Sequence, residues 1–220
     1  KDDVIKPQQA LTALNDRLKK RDDVYITTEV GQHQMWAAQL IDFEKPNRWM
    51  TSGGLGTMGY GLPAAMGVQT AHPDALVIDV AGEASILMNI QEMSTLAQYR
   101  LPVKVFILNN QWMGMVRQWQ EFFFSGRYSE SYMDSLPDFV KLAEAFGAVG
   151  LRATKPGELD GVIDEMIVTP HPVIADIAVD PNENVYPMIP AGAAHNQVTM
   201  SPDDEVKLDA EHKNDGMVLV

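Results

Sequence analysis

The chain has 220 residues, of which 45% are hydrophobic and 21% are charged, a balance typical of a globular protein. Its formal net charge of -13 argues against a nucleic acid or an anionic membrane as partner, and the absence of cysteine excludes disulfides and thiolate chemistry. No apolar stretch approaches the roughly 18 residues that a membrane-spanning helix needs, and no signal peptide is visible. The missing initiator methionine indicates either processing or a piece of a longer polypeptide.

Hydrophobic periodicity and turn residues predict strands that alternate with helices along most of the chain. The predicted strands cover residues 24–28, 75–80, 103–108, 148–152 and 172–179. The predicted helices cover residues 8–18, 62–68, 86–98, 113–121, 137–146 and 158–168, and a turn or helix start lies at 31–36. This alternation predicts a doubly wound α/β domain with a mainly parallel sheet flanked by helices. We expect residues 1–185 to form this domain and residues 186–220, which lose the rhythm, to form a C-terminal arm or lid.

Polar segments follow two of the predicted strands. Residues 82–85 (Gly-Glu-Ala-Ser) come after the strand at 75–80, and Asn110 comes after the strand at 103–108. Because ligands of parallel sheets bind at the carboxyl ends of the strands, these segments are expected to converge on one cleft. Glu83, Asn110 and the Trp112 carbonyl suit Mg²⁺, and the start of the following helix suits a phosphate. The alternative is that Glu83 and Ser85 merely cap that helix.

Three further segments each allow more than one interpretation. The five glycines between Gly53 and Gly61 either line a pocket with backbone groups or form a mobile loop with tight helix packing. His33 either donates a hydrogen bond to an anion or is a surface or capping histidine. The apolar stretch at 113–124 is a core helix face, a substrate wall or a contact for a second domain.

Taken together, these segments resemble the diphosphate-binding domain of thiamine-diphosphate enzymes, and most specifically that of the acetohydroxyacid synthase (acetolactate synthase) catalytic subunit. The resemblance covers essentially the whole chain. It is carried, in chain order, by residues 29–36 (EVGQHQMW), 52–65 (SGGLGTMGYGLPAA), 88–92 (MNIQE), 109–110 (NN), 114–120 (GMVRQWQ) and 188–193 (MIPAGA).

The resemblance implies roles for individual residues. Mg²⁺ is implied to be held by Glu83, Asn110 and the Trp112 carbonyl. Contacts to thiamine diphosphate are implied for Val30, Gly31, Gln32, His33, Gly56, Met58, Gly82, Glu83, Ala84, Ser85, Asn110, Trp112, Gly114 and Met115. Met115, Val116 and Trp119 are implied to face the substrate, with Trp119 favouring 2-ketobutyrate as the second substrate. The family's metal motif begins Gly-Asp where this chain has Gly82-Glu83, so the carboxylate stands on a stem longer by one methylene.

The resemblance also implies an activity: decarboxylation of pyruvate and carboligation to pyruvate or 2-ketobutyrate, in branched-chain amino acid biosynthesis. In this family a glutamate on another domain, from the partner subunit, activates the aminopyrimidine, and a middle domain binds FAD. Neither that glutamate nor that domain has a counterpart in this sequence. No catalytic residue is therefore assigned here, and the chain alone is expected to be inactive.

The implied partners are 2-ketoacid substrates, the pyrimidine-binding domain of a second subunit in a homo-oligomer, and a regulatory small subunit. The implied location is the cytoplasm in a bacterium, or an organelle matrix or stroma in a eukaryote. Two alternatives stay open. The chain is part of another thiamine-diphosphate carboligase or decarboxylase, such as glyoxylate carboligase or pyruvate oxidase, or it is a non-catalytic cofactor-binding module.

Overall fold

The computed structural model describes residues 3–190 and 192–201. Its strands are β1 (Val24–Thr28), β2 (Trp49–Thr51), β3 (Leu76–Gly82), β4 (Lys104–Asn109), β5 (Val149–Ala153) and β6 (Val173–Ala178). Its helices are α1 (Pro7–Leu18), α2 (Gln32–Leu40), α3 (Gly61–Ala71), α4 (Glu83–Ile86), α5 (Met93–Tyr99), α6 (Gly114–Phe123), α7 (Phe139–Ala145) and α8 (Pro156–Val168), with a 3₁₀ segment, Leu87–Glu92, before α5. Among these described elements, no helix combines the length and the apolar character that crossing a bilayer requires.

The strands form one sheet in the order β2-β1-β3-β4-β6-β5, and every neighbouring pair is parallel. This confirms the predicted doubly wound α/β fold. The chain passes from β1 outward to β2 but from β3 in the opposite direction to β4, so the strand order reverses between β1 and β3. Ligands of such sheets bind beside the reversal, outside the carboxyl ends of the strands. The fold therefore places the segments after β1, β3 and β4 at one cleft.

The buried strands pack on two apolar clusters, one on each face of the sheet. Ile78 and Phe106 pack on the face that α1, α2 and α8 cover, whereas Val77 and Val105 pack on the face covered by α3, α5 and α7. Side chains alternate between the two faces along a strand, and each fully buried aliphatic or aromatic side chain contributes about 1.5–3 kcal/mol. Because both faces are covered, β3, β4 and β6 are largely apolar along their length instead of alternating in polarity, and each carries one charged residue (Asp79, Lys104 and Asp176).

Two elements differ from the sequence-based expectation. The sequence does not predict β2, a three-residue strand paired only with β1 at the sheet edge. The helix expected over 86–98 is interrupted at Asn89, whose φ of -134° is not helical. The Asn89 Nδ2 donates to the Gly59 carbonyl at 2.6 Å, so this side chain is committed to the glycine-rich loop. Asparagine side chains that bond backbone groups in this way compete with helical geometry.

The described part of the expected C-terminal arm packs on the domain. Tyr186 stacks on Phe122 with 5.8 Å between ring centroids. Met188 is buried and pairs with Thr199 through two backbone hydrogen bonds. Residues 202–220 lie outside the described residues, so the arm as a whole stays a prediction.

Candidate cofactor site

A cleft of about 280 Å³ opens at the carboxyl ends of β1, β3 and β4. Its lining contains every residue that the sequence analysis assigns to the cofactor, together with the substrate candidate Val116. Lining residues that the sequence analysis does not assign are Gln34, Met35, Trp36, Leu108 and Met113. Trp119 is not among the described residues that line the cleft; it lies further along α6, with its ring 5.0 Å from that of Phe123. The individual contacts to a cofactor stay predictions.

The proposed metal ligands lie close together at the sheet edge. Glu83 begins α4 directly after β3, and Asn110 directly follows β4. The Trp112 N–H donates both to Glu83 Oε1, at 2.8 Å, and to Asn110 Oδ1, at 3.0 Å. The two side-chain oxygens therefore converge on one point. Within the described residues no three His, Asp or Glu side chains gather as a metal site, so the set is one carboxylate, one amide and one carbonyl.

Glu83 is held in an environment that favours a nearby cation. The side chain is 1% exposed, and burial raises the pKa of its carboxyl to about 7, although backbone N–H groups of residues 110–112 partly oppose the shift. A buried carboxylate is costly unless a positive charge or hydrogen bonds compensate it. The donor set consequently fits Mg²⁺, which prefers oxygen ligands and would supply that charge.

Ser85 is engaged with its own helix start. Its hydroxyl accepts from the Gly82 N–H at 3.2 Å and donates to the Gly82 carbonyl at 3.0 Å. The capping interpretation is therefore correct for the Ser85 side chain. Glu83 instead reaches across to Trp112, as described above, so the two residues have different roles.

His33 is a buried residue of the cleft, so its interpretation as a surface histidine is wrong. One ring nitrogen bonds the Glu29 carbonyl, whereas Nε2 has no hydrogen-bond partner in the described structure. Burial lowers the pKa of the imidazole to about 3. A Cβ on Gly31 or Gly82 would come within 2.8 Å or 2.7 Å of this ring, so both glycines are needed to seat it. Because the other nitrogen donates to the Glu29 carbonyl, Nε2 of the neutral ring carries a lone pair, so it would donate to a phosphate only once the charge of the anion has raised the pKa and a proton has bound.

We expect His33 to make the ligand-free protein sensitive to acid. The unfolded histidine gains its proton near pH 6.5, but the folded one does so only near pH 3, so stability falls as the pH drops through this window. At pH 4.5, two units below the unfolded value, the cost is about 3 kcal/mol. The His33→Gln variant should lose less stability than the wild type between pH 7 and pH 4.5, as measured by urea unfolding. The exposed-site variant His195→Gln should follow the wild type, and equal pH slopes in all three proteins would contradict the assignment.

The glycine-rich loop is held from beneath by Glu29. Its fully buried carboxylate accepts from the Gly59 N–H at 2.6 Å and from the Leu62 N–H at 3.2 Å. Gly56 and Met58 of the same loop line the cleft. These bonds favour the interpretation of the loop as a pocket wall over that of a mobile loop. The supporting role of Glu29 was not predicted from the sequence.

Asp79 lies behind this loop as a second buried acid. Its Oδ1 accepts from the Thr27 hydroxyl at 2.9 Å, and Oδ2 has no partner. Burial, followed by the negative charge of Glu29, raises the pKa of Asp79 well above its usual range. We therefore expect Asp79 to be protonated, which leaves the negative charge on Glu29, where backbone N–H groups surround it.

Helix α6 does not bury a purely apolar face, as the interpretation of a core helix would require. Its buried residues are Arg117, Gln118 and Phe122, while Val116 is 45% exposed. The two polar side chains point inward because they bond residues 183–185, which lie after β6. The apolar residues Met115 and Val116 instead face the cleft. The structure thus agrees with the alternative of a wall beside the site.

Comparison with known proteins agrees with this architecture. Residues 29–177 match the family described as thiamine pyrophosphate enzyme, C-terminal TPP binding domain. The matched range is more than half of the chain and includes every residue that lines the cleft. The chain belongs to this family. The description of this family names thiamine pyrophosphate as its ligand, and the cleft lies within the matched residues.

Similar proteins include several acetolactate synthase large subunits. That of Haemophilus influenzae is 49% identical over 203 residues, which are 92% of this chain and 35% of the relative. Isozyme 3 of Escherichia coli is 52% identical over 200 residues, 90% of this chain and 34% of the relative. The Porphyra purpurea protein is 48% identical over 195 residues, 88% of this chain and 32% of the relative. The chain thus spans about one third of the length of the curated relatives it matches.

Proposed function

We propose that this domain holds the diphosphate and Mg²⁺ end of thiamine diphosphate within a longer acetolactate synthase large subunit. One observation carries the proposal: Glu83, Asn110 and His33 line the same cleft in a domain of the thiamine-pyrophosphate family. The two oxygen-bearing side chains suit Mg²⁺, and the unpartnered His33 nitrogen would donate to an anion once it has bound a proton. The cation would also offset the protein's net charge of -13 toward a phosphorylated ligand.

Each part of the cleft has a proposed task. Glu83, Asn110 and the Trp112 carbonyl would hold Mg²⁺. Gln32, through its backbone N–H at the start of α2, His33 and the backbone at residues 82–85 would hold the diphosphate. The Gly56 carbonyl would accept from the aminopyrimidine, and Met58 would support the bent shape of the cofactor. Thiamine diphosphate, when bound, supplies the electron sink for decarboxylation of a 2-ketoacid, while the protein contributes orientation and electrostatics.

The proposed substrates are pyruvate and 2-ketobutyrate. Identity near 50% to acetolactate synthase large subunits supports this choice. Met115 and Val116 line the cleft, and Trp119 lies one helical turn beyond Met115 on the same side of α6. In an apolar pocket one methylene is worth about 1–3 kcal/mol of discrimination. A bulky wall at this position would therefore distinguish the two substrates.

The rest of the catalytic apparatus is proposed to lie outside this chain. The activating glutamate would come from the pyrimidine-binding domain of a second subunit, and FAD would be bound mainly by a further domain. The chain's coverage of only about one third of its relatives supports this arrangement. Relatives named as large subunits also support a small regulatory partner.

The proposal is tested with the full polypeptide that carries this sequence. Cofactor-free protein is titrated with thiamine diphosphate with and without Mg²⁺, and binding is followed by the fluorescence of Trp36 and Trp112, which line the cleft. We expect Mg²⁺-dependent binding, acetolactate from pyruvate, and the mixed product when 2-ketobutyrate is added. The separate 220-residue chain should show no turnover. A different carboligation product would identify another enzyme of this family. Binding of thiamine diphosphate that does not depend on Mg²⁺ would favour a non-catalytic module.

A further inference from the structure

We propose that Gln118 is a positioning residue for the metal site: acting through Gln32, it sets the direction in which Asn110 presents its side-chain oxygen. Gln118 lies on α6 and does not line the cleft. The inference deepens the proposed function and rests on it, because the oxygen in question is a proposed Mg²⁺ ligand.

The first step is the orientation of the Gln118 amide. This fully buried side chain accepts from the Val185 N–H at 2.9 Å through Oε1 and donates to the Val185 carbonyl at 3.2 Å through Nε2. A backbone N–H can only donate and a carbonyl can only accept, so just one orientation of this amide satisfies both bonds. Nε2 also lies 3.1 Å from Met188 Sδ. The backbone after β6 therefore determines where Gln118 Oε1 points.

The second step passes this orientation to Asn110. Gln32 Nε2 donates to Gln118 Oε1 at 2.8 Å and to the Glu183 carbonyl at 3.2 Å, which leaves Gln32 Oε1 as an acceptor. Asn110 Nδ2 donates to that oxygen at 3.2 Å. Asn110 Oδ1 must then lie on the other side of its amide, where it meets the Trp112 N–H beside Glu83. Three buried amides thus form a chain with one consistent direction.

The direction matters because only the oxygen of an amide binds a hard cation. A reversed Asn110 would present its NH₂ group to Mg²⁺ and lose the ligand. The Trp112 N–H also donates to Asn110 Oδ1, at 3.0 Å. This donor is shared with Glu83 Oε1, which lies closer to it, at 2.8 Å. The amide chain supplies the second anchor.

The amide chain is also enclosed tightly. A Cβ on Gly114 would lie 2.1 Å from Gln32 Oε1 and 2.9 Å from Asn110 Nδ2. The start of α6 thus packs directly on the bond between these two amides. Side chains that orient metal ligands typically change metal affinity by about 10–100-fold when they are removed.

The test compares two substitutions in the full polypeptide. Gln118→Met keeps the approximate volume but removes the acceptor for Gln32. Gln118→Glu, which burial favours in its protonated form, keeps an oxygen that accepts from Gln32 and Val185 and an O–H that donates to the Val185 carbonyl, and it loses only the contact of Nε2 with Met188. At saturating thiamine diphosphate we expect Gln118→Met to weaken Mg²⁺ binding roughly tenfold, the lower end of the range for such residues. Gln118→Glu should stay close to the wild type, and excess Mg²⁺ should restore cofactor binding to Gln118→Met.

The readout is the Mg²⁺ dissociation constant from fluorescence titration, with thermal unfolding recorded without metal. Gln120→Met is the control on the same helix, since Gln120 bonds Ser129 and Ser131 and has no part in the amide chain; its Mg²⁺ affinity should not change. If Gln118→Met does not fold, Gln118→Asn, too short to reach both Val185 and Gln32, should show the same weakening.

Three results would overturn the inference. Unchanged Mg²⁺ affinity in Gln118→Met, or equal weakening in Gln118→Met and Gln118→Glu, would leave Gln118 with a packing role only. A wild-type protein that binds no thiamine diphosphate with Mg²⁺ would overturn the proposed function and this inference with it. The wild-type titration therefore separates the two failures.

Discussion

Replacing Glu83 by glutamine is expected to weaken Mg²⁺-dependent binding of thiamine diphosphate by more than about 100-fold, because residues that merely orient a metal ligand are already worth 10–100-fold. Glutamine keeps the side-chain volume but removes the only acidic charge in the proposed metal set. Glu83 is buried beside Asn110 Oδ1, so no other charge in that set can replace it. The measurement is a Mg²⁺ titration of the full polypeptide at constant cofactor, followed by fluorescence.

Glu83→Asp is the informative control for this prediction. It keeps the carboxylate charge on a side chain shorter by one methylene, and it restores the Gly-Asp pair with which the metal motif of thiamine-diphosphate enzymes begins. We expect it to retain Mg²⁺-dependent binding. The exposed variant Glu144→Gln should behave as the wild type. Equal losses for Glu83→Asp and Glu83→Gln would point to packing and not to charge.

The Glu83 prediction includes a dependence on pH. Burial raises the pKa of this carboxyl to about 7 in the metal-free protein, and Mg²⁺ binds the ionised form. Apparent Mg²⁺ affinity should therefore rise with pH, about tenfold per unit below pH 7, and level off above it. The Glu83→Gln variant should lack this slope. For stability the sign is opposite: the folded metal-free protein holds the proton between pH 4.5 and pH 7, so this group lowers stability as the pH rises through that window.

Replacing Gly61 by alanine is expected to have the largest effect on folding. An added Cβ would lie 2.2 Å from Asp79 Oδ1 and 2.7 Å from backbone atoms of Thr28 and Glu29. Neither the backbone of β1 nor a buried carboxyl can move aside easily. Overpacking of this kind typically costs about 1–3 kcal/mol, and we expect the upper end of that range or more. Urea unfolding of the variant at pH 7 measures the loss.

The matched control is Gly67→Ala in the same helix. Apart from its chain neighbours and the adjacent backbone of its own helix, no described atom lies within 4 Å of a Cβ at this exposed position. Alanine should therefore stabilise α3 by about 0.5–1 kcal/mol, the usual difference between the two residues inside a helix. The two variants add the same methyl group to one helix and should change stability in opposite directions. A Gly61→Ala protein as stable as the wild type would mean that α3 lies further from β1 and β3 than described.

Strands, helices and the class of fold could be predicted from the sequence because their signals are local. The run at 103–108 is apolar except for Lys104 and is bounded by turn residues, which is enough to indicate a strand buried on both faces. The placement of Glu83 and Asn110 at one sheet edge also followed, since both come directly after such strands. The sequence motifs indicated thiamine diphosphate as the cofactor through their resemblance to a known family. The match to the thiamine pyrophosphate enzyme family confirms this cofactor.

Only the tertiary structure decided which polar side chains meet. Gln32 and Gln118 are 86 positions apart, and no periodic pattern relates them. The inward direction of Arg117 and Gln118 on α6 depends on residues 183–185, so the spacing of apolar residues along the helix could not decide between the interpretations of this segment. The break at Asn89 likewise depends on a loop carbonyl 30 positions away. Local propensity and hydrophobic period describe a residue's neighbours in sequence, whereas the support of this site comes from hydrogen bonds between distant segments, which exist only once the sheet has assembled.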